Sequence, residues 1–259
     1  MGSAMLEGWL ERGVSPTDVY AVEPNADMVA ELQKRYGINA RTSANDLPAD
    51  LSPDVVIFAV KPQMMDVAAP DYARFTSPGT VFLSIAAGKT IGYFETIVGD
   101  GAAIVRAMPN TPAAVRRGIT VACPNAQVTN GQRQFCDELL KAVGDVEWVE
   151  DEGLIDAVTA LSGGGPAYVF LLAEVMAKAG QDAGLPKALA KRLARVTVSG
   201  AGELMHQSDD EPETLRVNVT SPGGTTAEAL RVLMADDGWQ PLMTKAIAAA
   251  TARSKELAG

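Results

Sequence analysis

Histidine, cysteine and positive charge are all scarce in this chain. His206 is the only histidine of 259 residues, which excludes His-centred triads and multi-histidine metal sites. Cys123 and Cys136 are the only cysteines; they form no Cys-x-x-Cys pair and have no histidine beside them. Neither a zinc site nor a disulfide framework is indicated, no metal is expected, and both thiols should be packed and reduced. Lys and Arg number 22 against 32 Asp and Glu, a formal charge of −10. That argues against a nucleic-acid partner, while backbone donors and local dipoles can still bind small anions. Long apolar runs are lacking too: none is expected to cross a membrane, and the N-terminus lacks the basic region and apolar core of a secretory signal. A cytoplasmic protein with no membrane partner follows. His206, between Met205 and Gln207, reads as a solvated residue near a helix end, and Ser208-Asp209-Asp210-Glu211 as a solvated loop leading into a helix at Pro212.

What is present has two rhythms. Up to about Val149, short Val- and Ile-rich runs alternate with amphipathic stretches: Val19–Val22, Val55–Val60, Val81–Ile85, Ile104–Met108, Ile119–Ala122 and Val146–Val149. Between them, the spacing predicts a helix over Met28–Tyr36 with Gly37 as its C-cap, and another over Gly131–Val143 ending at Gly144. This is the α/β pattern of a doubly wound parallel sheet, with ligands at the carboxyl ends of the strands. Beyond Asp151 helices take over: Leu154–Leu161, Tyr168–Ala183, Lys187–Leu204, Ala227–Leu233 and Pro241–Leu257, with Gly184-Leu185-Pro186 as a stop and restart. Ala173, Ala177, Ala190, Ala194 and Ala201 would let helices approach closely, within one chain or between subunits. The expected division is residues 1–150, a Rossmann-like dinucleotide-binding domain, and 151–259, an all-α bundle.

Ser221-Pro222-Gly223-Gly224-Thr225-Thr226 stands between two helical segments. Its glycines permit close backbone approach, and the hydroxyls and free N–H groups of a helix start at Thr226 converge on one point, suited to a small carboxylate. The same string would also make an ordinary Pro-Gly turn with a Thr cap. It is preceded along the chain by Val60-Lys61-Pro62-Gln63, by Met108-Pro109-Asn110-Thr111-Pro112 and by Leu161-Ser162-Gly163-Gly164-Gly165-Pro166-Ala167-Tyr168. In that order and spacing these motifs resemble the pyrroline-5-carboxylate reductase family, and the resemblance runs from Met1 to Arg253-Ser254-Lys255-Glu256-Leu257.

The resemblance implies reduction of 1-pyrroline-5-carboxylate to L-proline with NADPH or NADH, in a dimer or larger homo-oligomer joined through the helical domain. Carried over by position, Thr226 is the catalytic candidate, hydrogen-bonding the ring nitrogen. Ser221, Gly223, Gly224 and Thr225 would surround the substrate carboxylate, and Glu152 would stand near it. Asn45, Ala59, Val60, Lys61, Pro62, Ala87 and Asn218 match family cofactor contacts. Gly164 stands where many members carry a second serine.

A dinucleotide motif needs a strand, Gly-x-Gly-x-x-Gly and a helix. Met1 to Leu10 reads as the end of that turn and the helix, with Gly2 as the third glycine and Ser3 beside it; the first strand and first two glycines are missing from the sequence. A start assigned too far downstream would explain this, and the alternative is a truly short chain with a weakened first half. Glu23, at the end of the second strand, stands where an acid hydrogen-bonds ribose hydroxyls, with Asn25 beside it and no basic residue until Lys34. NADH is therefore expected to serve at least as well as NADPH. Two rival readings are an NAD(P)-dependent hydroxyacid dehydrogenase, which should offer a lysine in the Leu161–Tyr168 region, where there is none, and a non-enzymatic helical remnant.

Overall fold

The computed structural model describes residues 1–258 and forms two compact units: Met1–Gly163 with the C-terminal end from Thr251, and Gly164–Ala250. The first contains helices α1 (Gly2–Glu11), α2 (Ala26–Tyr36), α3 (Met65–Ala68), α4 (Ile91–Val98), α5 (Asn130–Leu140) and α6 (Leu154–Val158). Its strands are β1 (Tyr20–Val22), β2 (Asn39–Arg41), β3 (Val55–Phe58), β4 (Val81–Ser84), β5 (Ala103–Met108), β6 (Gly118–Pro124) and β7 (Gly144–Trp148). The second contains α7 (Gly165–Asp182), α8 (Lys187–Gln207), α9 (Pro212–Asn218) and α10 (Thr225–Leu233), and α11 (Trp239–Ala258) starts there. The α/β half followed by a helical half is as the sequence rhythm requires.

The sheet departs from a single parallel array in two places. Strands β3-β4-β5-β6-β7 form one ladder, parallel except between β5 and β6; β1 and β2 form a separate parallel ladder. The β5–β6 reversal follows from chain length: residues 109–117 are too few for a parallel crossover, so β6 returns antiparallel. Among the described residues no strand joins the two ladders, which leaves β1 and β3 each paired on one side only.

Period-two alternation distributes the core. Val81, Leu83 and Val105 face one buried cluster with Met5 and Leu140, while Phe82 and Ile104 face the other with Phe58 and Phe94. In that second cluster Phe58 stacks on Phe94 at 5.1 Å between centroids. Arg106 follows Ile104 by two residues and is carried onto the same buried side, so a counter-charge is required there.

Local signals explain the helix ends. Asn25 caps α2 through its side chain, and Gly37 ends it in the left-handed region, φ 70°. Thr129 and Gln132 form a capping box on α5. That helix stops at Leu140, and a 3-10 turn covers Lys141–Val143. Gly144 follows Val143 as the C-cap of that turn, so the helical run ends where the sequence places its end, with its last three residues 3-10 rather than α. Gly144 also opens β7 at φ 147°, where a Cβ would overlap the Gly118 carbonyl.

In the second unit, α7 and α8 approach through buried Ala177, Ala190 and Ala194. A Cβ on Gly180 would lie 3.4 Å from the Ala190 Cβ, and Gly184 at φ 101° turns the chain between the helices. Ala201, expected on this face, is exposed. Within Leu154–Asp182 an 18-residue window has mean hydropathy 1.3, so this stretch is long and apolar enough by length and composition to cross a membrane, which corrects the expectation that no run reaches that length. Its apolar residues are partly accounted for within the protein: Ile155 and Ala160 are buried in the first unit.

Candidate functional site

The carboxyl ends of the parallel strands carry most of the residues singled out from the sequence. At the N-terminus of α1 no side chain caps the helix and no acid lies in its first turn. Its first intrahelical bond runs from Met5 N to Met1 O, which leaves the Gly2, Ser3 and Ala4 N–H groups facing outward. A Cβ on Gly2 would lie 3.3 Å from the Ala59 Cβ, closer than most such contacts, so glycine lets the helix start press against the end of β3. Ala59, Val60 and Lys61 are exposed there; Lys61 has no carboxylate partner among the described residues, and Pro62 opens the 3-10 turn that follows.

At the end of β1, the Glu23 carboxylate accepts a hydrogen bond from Asn25 N at 3.0 Å, and Asn25 Oδ1 accepts from Asp27 N and Met28 N. Glu23 N donates to the Arg41 carbonyl at 2.9 Å. Arg41 thus ends the paired strand next to Glu23, with its guanidinium donating to the Ala40 carbonyl at 2.8 Å, and a reading along the chain missed this basic residue because strand pairing is hidden by sequence distance. Asn45 is exposed within a short 3-10 turn, its N–H held by Ser43 Oγ, and Asp46 accepts from the Thr42 hydroxyl.

After β4, Ala87 is exposed in the turn that ends at Thr90, whose hydroxyl accepts from Tyr93 N and starts α4. Gly88 sits at φ 73°, and a Cβ there would lie 3.2 Å from the Leu257 carbonyl of the last turn of α11. That turn of α11 is anchored by buried Ser254, which donates to Asp156 at 2.7 Å. Lys89 pairs with Asp66 at 2.9 Å, and Tyr93 OH donates to the same oxygen at 2.7 Å. These bonds hold the Asp66 carboxyl below its usual range, first through Tyr93 and then Lys89, while burial and Asp66 push the Tyr93 phenol up to about 12.

Glu152 supplies the counter-charge that Arg106 needs. The two lie 2.7 Å apart, with side chains 29% and 4% exposed, and Glu152 Oε1 also accepts from Ile91 N at 2.8 Å. Removing one partner of such a buried pair costs about 3–5 kcal/mol, because the other charge stays behind unpaired. Below it, Asn110 donates to the Ser162 carbonyl at 3.2 Å and accepts from Ile119 N at 3.0 Å. The expected interruption of the helix is a π turn, Thr159–Gly163, and Met108 Cε occupies the space that a Gly163 side chain would need.

In the second unit, Ser221 O accepts from Gly224 N at 3.0 Å, Gly223 lies at φ 69°, and α10 starts at Thr225, one residue earlier than its sequence suggests. No side chain caps this nine-residue helix, so the N–H groups of Thr225, Thr226 and Ala227 are free of helix bonds, and both threonines are exposed. Asn218 is exposed at the end of α9. The arrangement can take a carboxylate on backbone donors with a hydroxyl alongside.

A family model described as pyrroline-5-carboxylate reductase dimerisation matches residues 152–257, and one described as NADP oxidoreductase, coenzyme F420-dependent, matches residues 1–88. The pyrroline-5-carboxylate reductase of Pseudomonas aeruginosa is 40% identical over 258 residues, which is 100% of this chain and 93% of that protein. The chain belongs to the pyrroline-5-carboxylate reductase family. Among solved pyrroline-5-carboxylate reductases, that of Coxiella burnetii is similar with a TM-score of 0.92 at 33% identity, covering 100% of this chain and 95% of that one. The Plasmodium falciparum enzyme, solved with NADP bound, reaches 0.81 at 30% identity over 100% and 95%. The Rossmann-like sheet followed by a helical region is thus the fold of the pyrroline-5-carboxylate reductase family, and the hydroxyacid dehydrogenase reading falls away.

Proposed function

We propose that this chain reduces 1-pyrroline-5-carboxylate to L-proline with NADPH or NADH, the last step of proline synthesis, in the cytoplasm. It works as a homodimer or larger homo-oligomer joined through residues 151–259, with residues 1–150 holding the cofactor. The observation that carries this reading is the full-length relationship to pyrroline-5-carboxylate reductases, supported by the uncapped start of α10 at Thr225-Thr226.

The residues present fit a dinucleotide. The start of α1 offers free N–H groups with no acid in its first turn, Gly2 leaves room against Ala59, and Glu23 is held at the end of β1. Asn25, Asn45, Ala59 to Pro62, Ala87 and Asn218 are the remaining cofactor residues of this reading, with Lys61 the charge that meets the diphosphate. When bound, the nicotinamide supplies a hydride to the imine carbon. The chain's own part is to hold the substrate. Ser221, Gly223, Gly224 and Thr225 take its carboxylate on backbone N–H groups and hydroxyls, and the Thr226 hydroxyl hydrogen-bonds the ring nitrogen. A protonated imine already carries its proton, and hydride addition leaves the former C=N electron pair on the nitrogen of the secondary amine. Thr226 is therefore asked for placement more than for acidity, which suits a hydroxyl of high pKa.

Imine-dependent oxidation of NADPH and of NADH, followed by absorbance with proline identified as product, tests the reading. Turnover with proline formed is expected; no turnover with either nucleotide would favour the non-enzymatic reading. Running both nucleotides also weighs Glu23 against Arg41. The Glu23 carboxylate repels a 2′-phosphate and favours NADH, so a large preference for NADPH would hand that position to Arg41.

A further inference from the structure

We infer that Glu152 is a positioning residue for the turn between β4 and α4, and through that turn for the dinucleotide, and that its carboxylate does not serve the imine. This rests on the dinucleotide reading given above. The turn is gripped along its length: Ala86 N donates to Ser84 Oγ at 3.3 Å, Gly88 lies against the Leu257 carbonyl, and Lys89 is paired with Asp66. Its last anchor is Ile91 N, the first N–H of α4, which donates to Glu152 Oε1 at 2.8 Å. The same oxygen accepts from Arg106 Nη1 at 2.7 Å. One carboxylate oxygen thus joins the buried face of β5 to the start of α4, with exposed Ala87 four residues before that start.

Two physical arguments favour this role. Arg106 is almost wholly buried and faces Glu152, so the negative charge of Glu152 is already balanced and offers an iminium ion little net attraction. The turn it steadies lies at the carboxyl end of a central parallel strand, where open α/β sheets bind their ligands. Loss of the acceptor for Ile91 N frees the start of α4 and loosens Ala87 with it.

Glu152→Gln in the full-length protein keeps an acceptor oxygen but removes the charge that fixes it against Arg106. Five quantities should be read: NADPH binding by its fluorescence without imine, KM, kcat, the pH–rate profile, and amide exchange at Ile91. The expected result is NADPH binding and KM weakened roughly tenfold, as for loss of a charge-assisted hydrogen bond, with faster exchange at Ile91 and an unchanged pH profile. A fall in kcat with a displaced pH profile, while NADPH binding and Ile91 protection stay as in the wild type, would overturn the inference. If Glu152→Gln does not fold, the apolar pair Arg106→Met/Glu152→Leu keeps the volume filled, and normal NADPH binding in that protein would overturn it equally. A wild-type protein that binds no NADPH refutes the dinucleotide reading itself; Ile91 exchange, read without any nucleotide, still decides whether Glu152 holds α4.

Discussion

The two units satisfy their apolar side chains in opposite ways. The first buries Met5, Met65, Phe82 and Phe94 almost completely between its sheet and its helices. In the second, the buried apolar residues among those described are Ala177, Ala190 and Ala194, while Phe170 is 64% exposed and Leu171, Val175, Leu193, Val196 and Leu242 lie open with it. A sheet offers two faces for a chain to cover by itself. A few helices around a small-residue contact leave large side chains over, and an apolar surface of that kind marks an association site. The match of residues 152–257 to a dimerisation family points the same way.

Paired truncations break or sharpen that contrast. Phe94→Ala opens a cavity under the Phe58 stack and should destabilise the chain by about 3–5 kcal/mol, read as a fall in melting temperature independent of protein concentration. Phe170→Ala removes a side chain that the chain does not cover, so its effect should appear in the oligomer equilibrium by sedimentation and as a concentration-dependent melting temperature. Equal, concentration-independent losses from both would mean that the second unit is self-sufficient.

Thr226→Ala asks whether the second unit also carries chemistry. Its hydroxyl is exposed and uninvolved in capping α10, so stability should hold while turnover falls roughly tenfold or more. Unchanged turnover would remove Thr226 from the mechanism and leave the second unit as an assembly module.

The same contrast explains what the sequence showed. Runs such as Val55-Val56-Ile57-Phe58 and Val81-Phe82-Leu83 declare buried strands because both faces are covered. The turn glycines at 37, 184 and 223 declare themselves because each holds positive φ. Strand β2 was not legible: Asn39-Ala40-Arg41 is too short and polar to show a period, and it exists through pairing with β1. Helix α4 was missed because it is only eight residues long and opens on the apolar run Ile91-Gly92-Tyr93-Phe94, so its single i, i+3, i+7 set of Ile91, Phe94 and Val98 does not repeat. The partners of Glu152 were hidden for another reason. Arg106 and Ile91 lie far from it along the chain and meet it only through the sheet. Contacts of that kind leave no local pattern.

The mildest test uses alkaline pH, because both cysteines are in the first unit and the second has none. Burial pushes the Cys123 thiol up to about 11, with Glu152 adding to the rise, and the Cys136 thiol up to about 12, from an ordinary 9.0. A folded pKa above the unfolded one means that the neutral thiol is the form the fold prefers. The contribution is whole below pH 9 and is lost as pH rises towards 11 and 12. Melting temperature should therefore fall with increasing steepness above pH 9, and Cys123→Ala/Cys136→Ala should flatten that fall without abolishing it, since the raised Tyr93 phenol contributes in the same direction. Native protein should also resist thiol reagents at neutral pH and react on unfolding. Rapid labelling of the native protein would mean that the cluster around Cys136 opens readily, and the first unit would lose its claim to be the self-contained half.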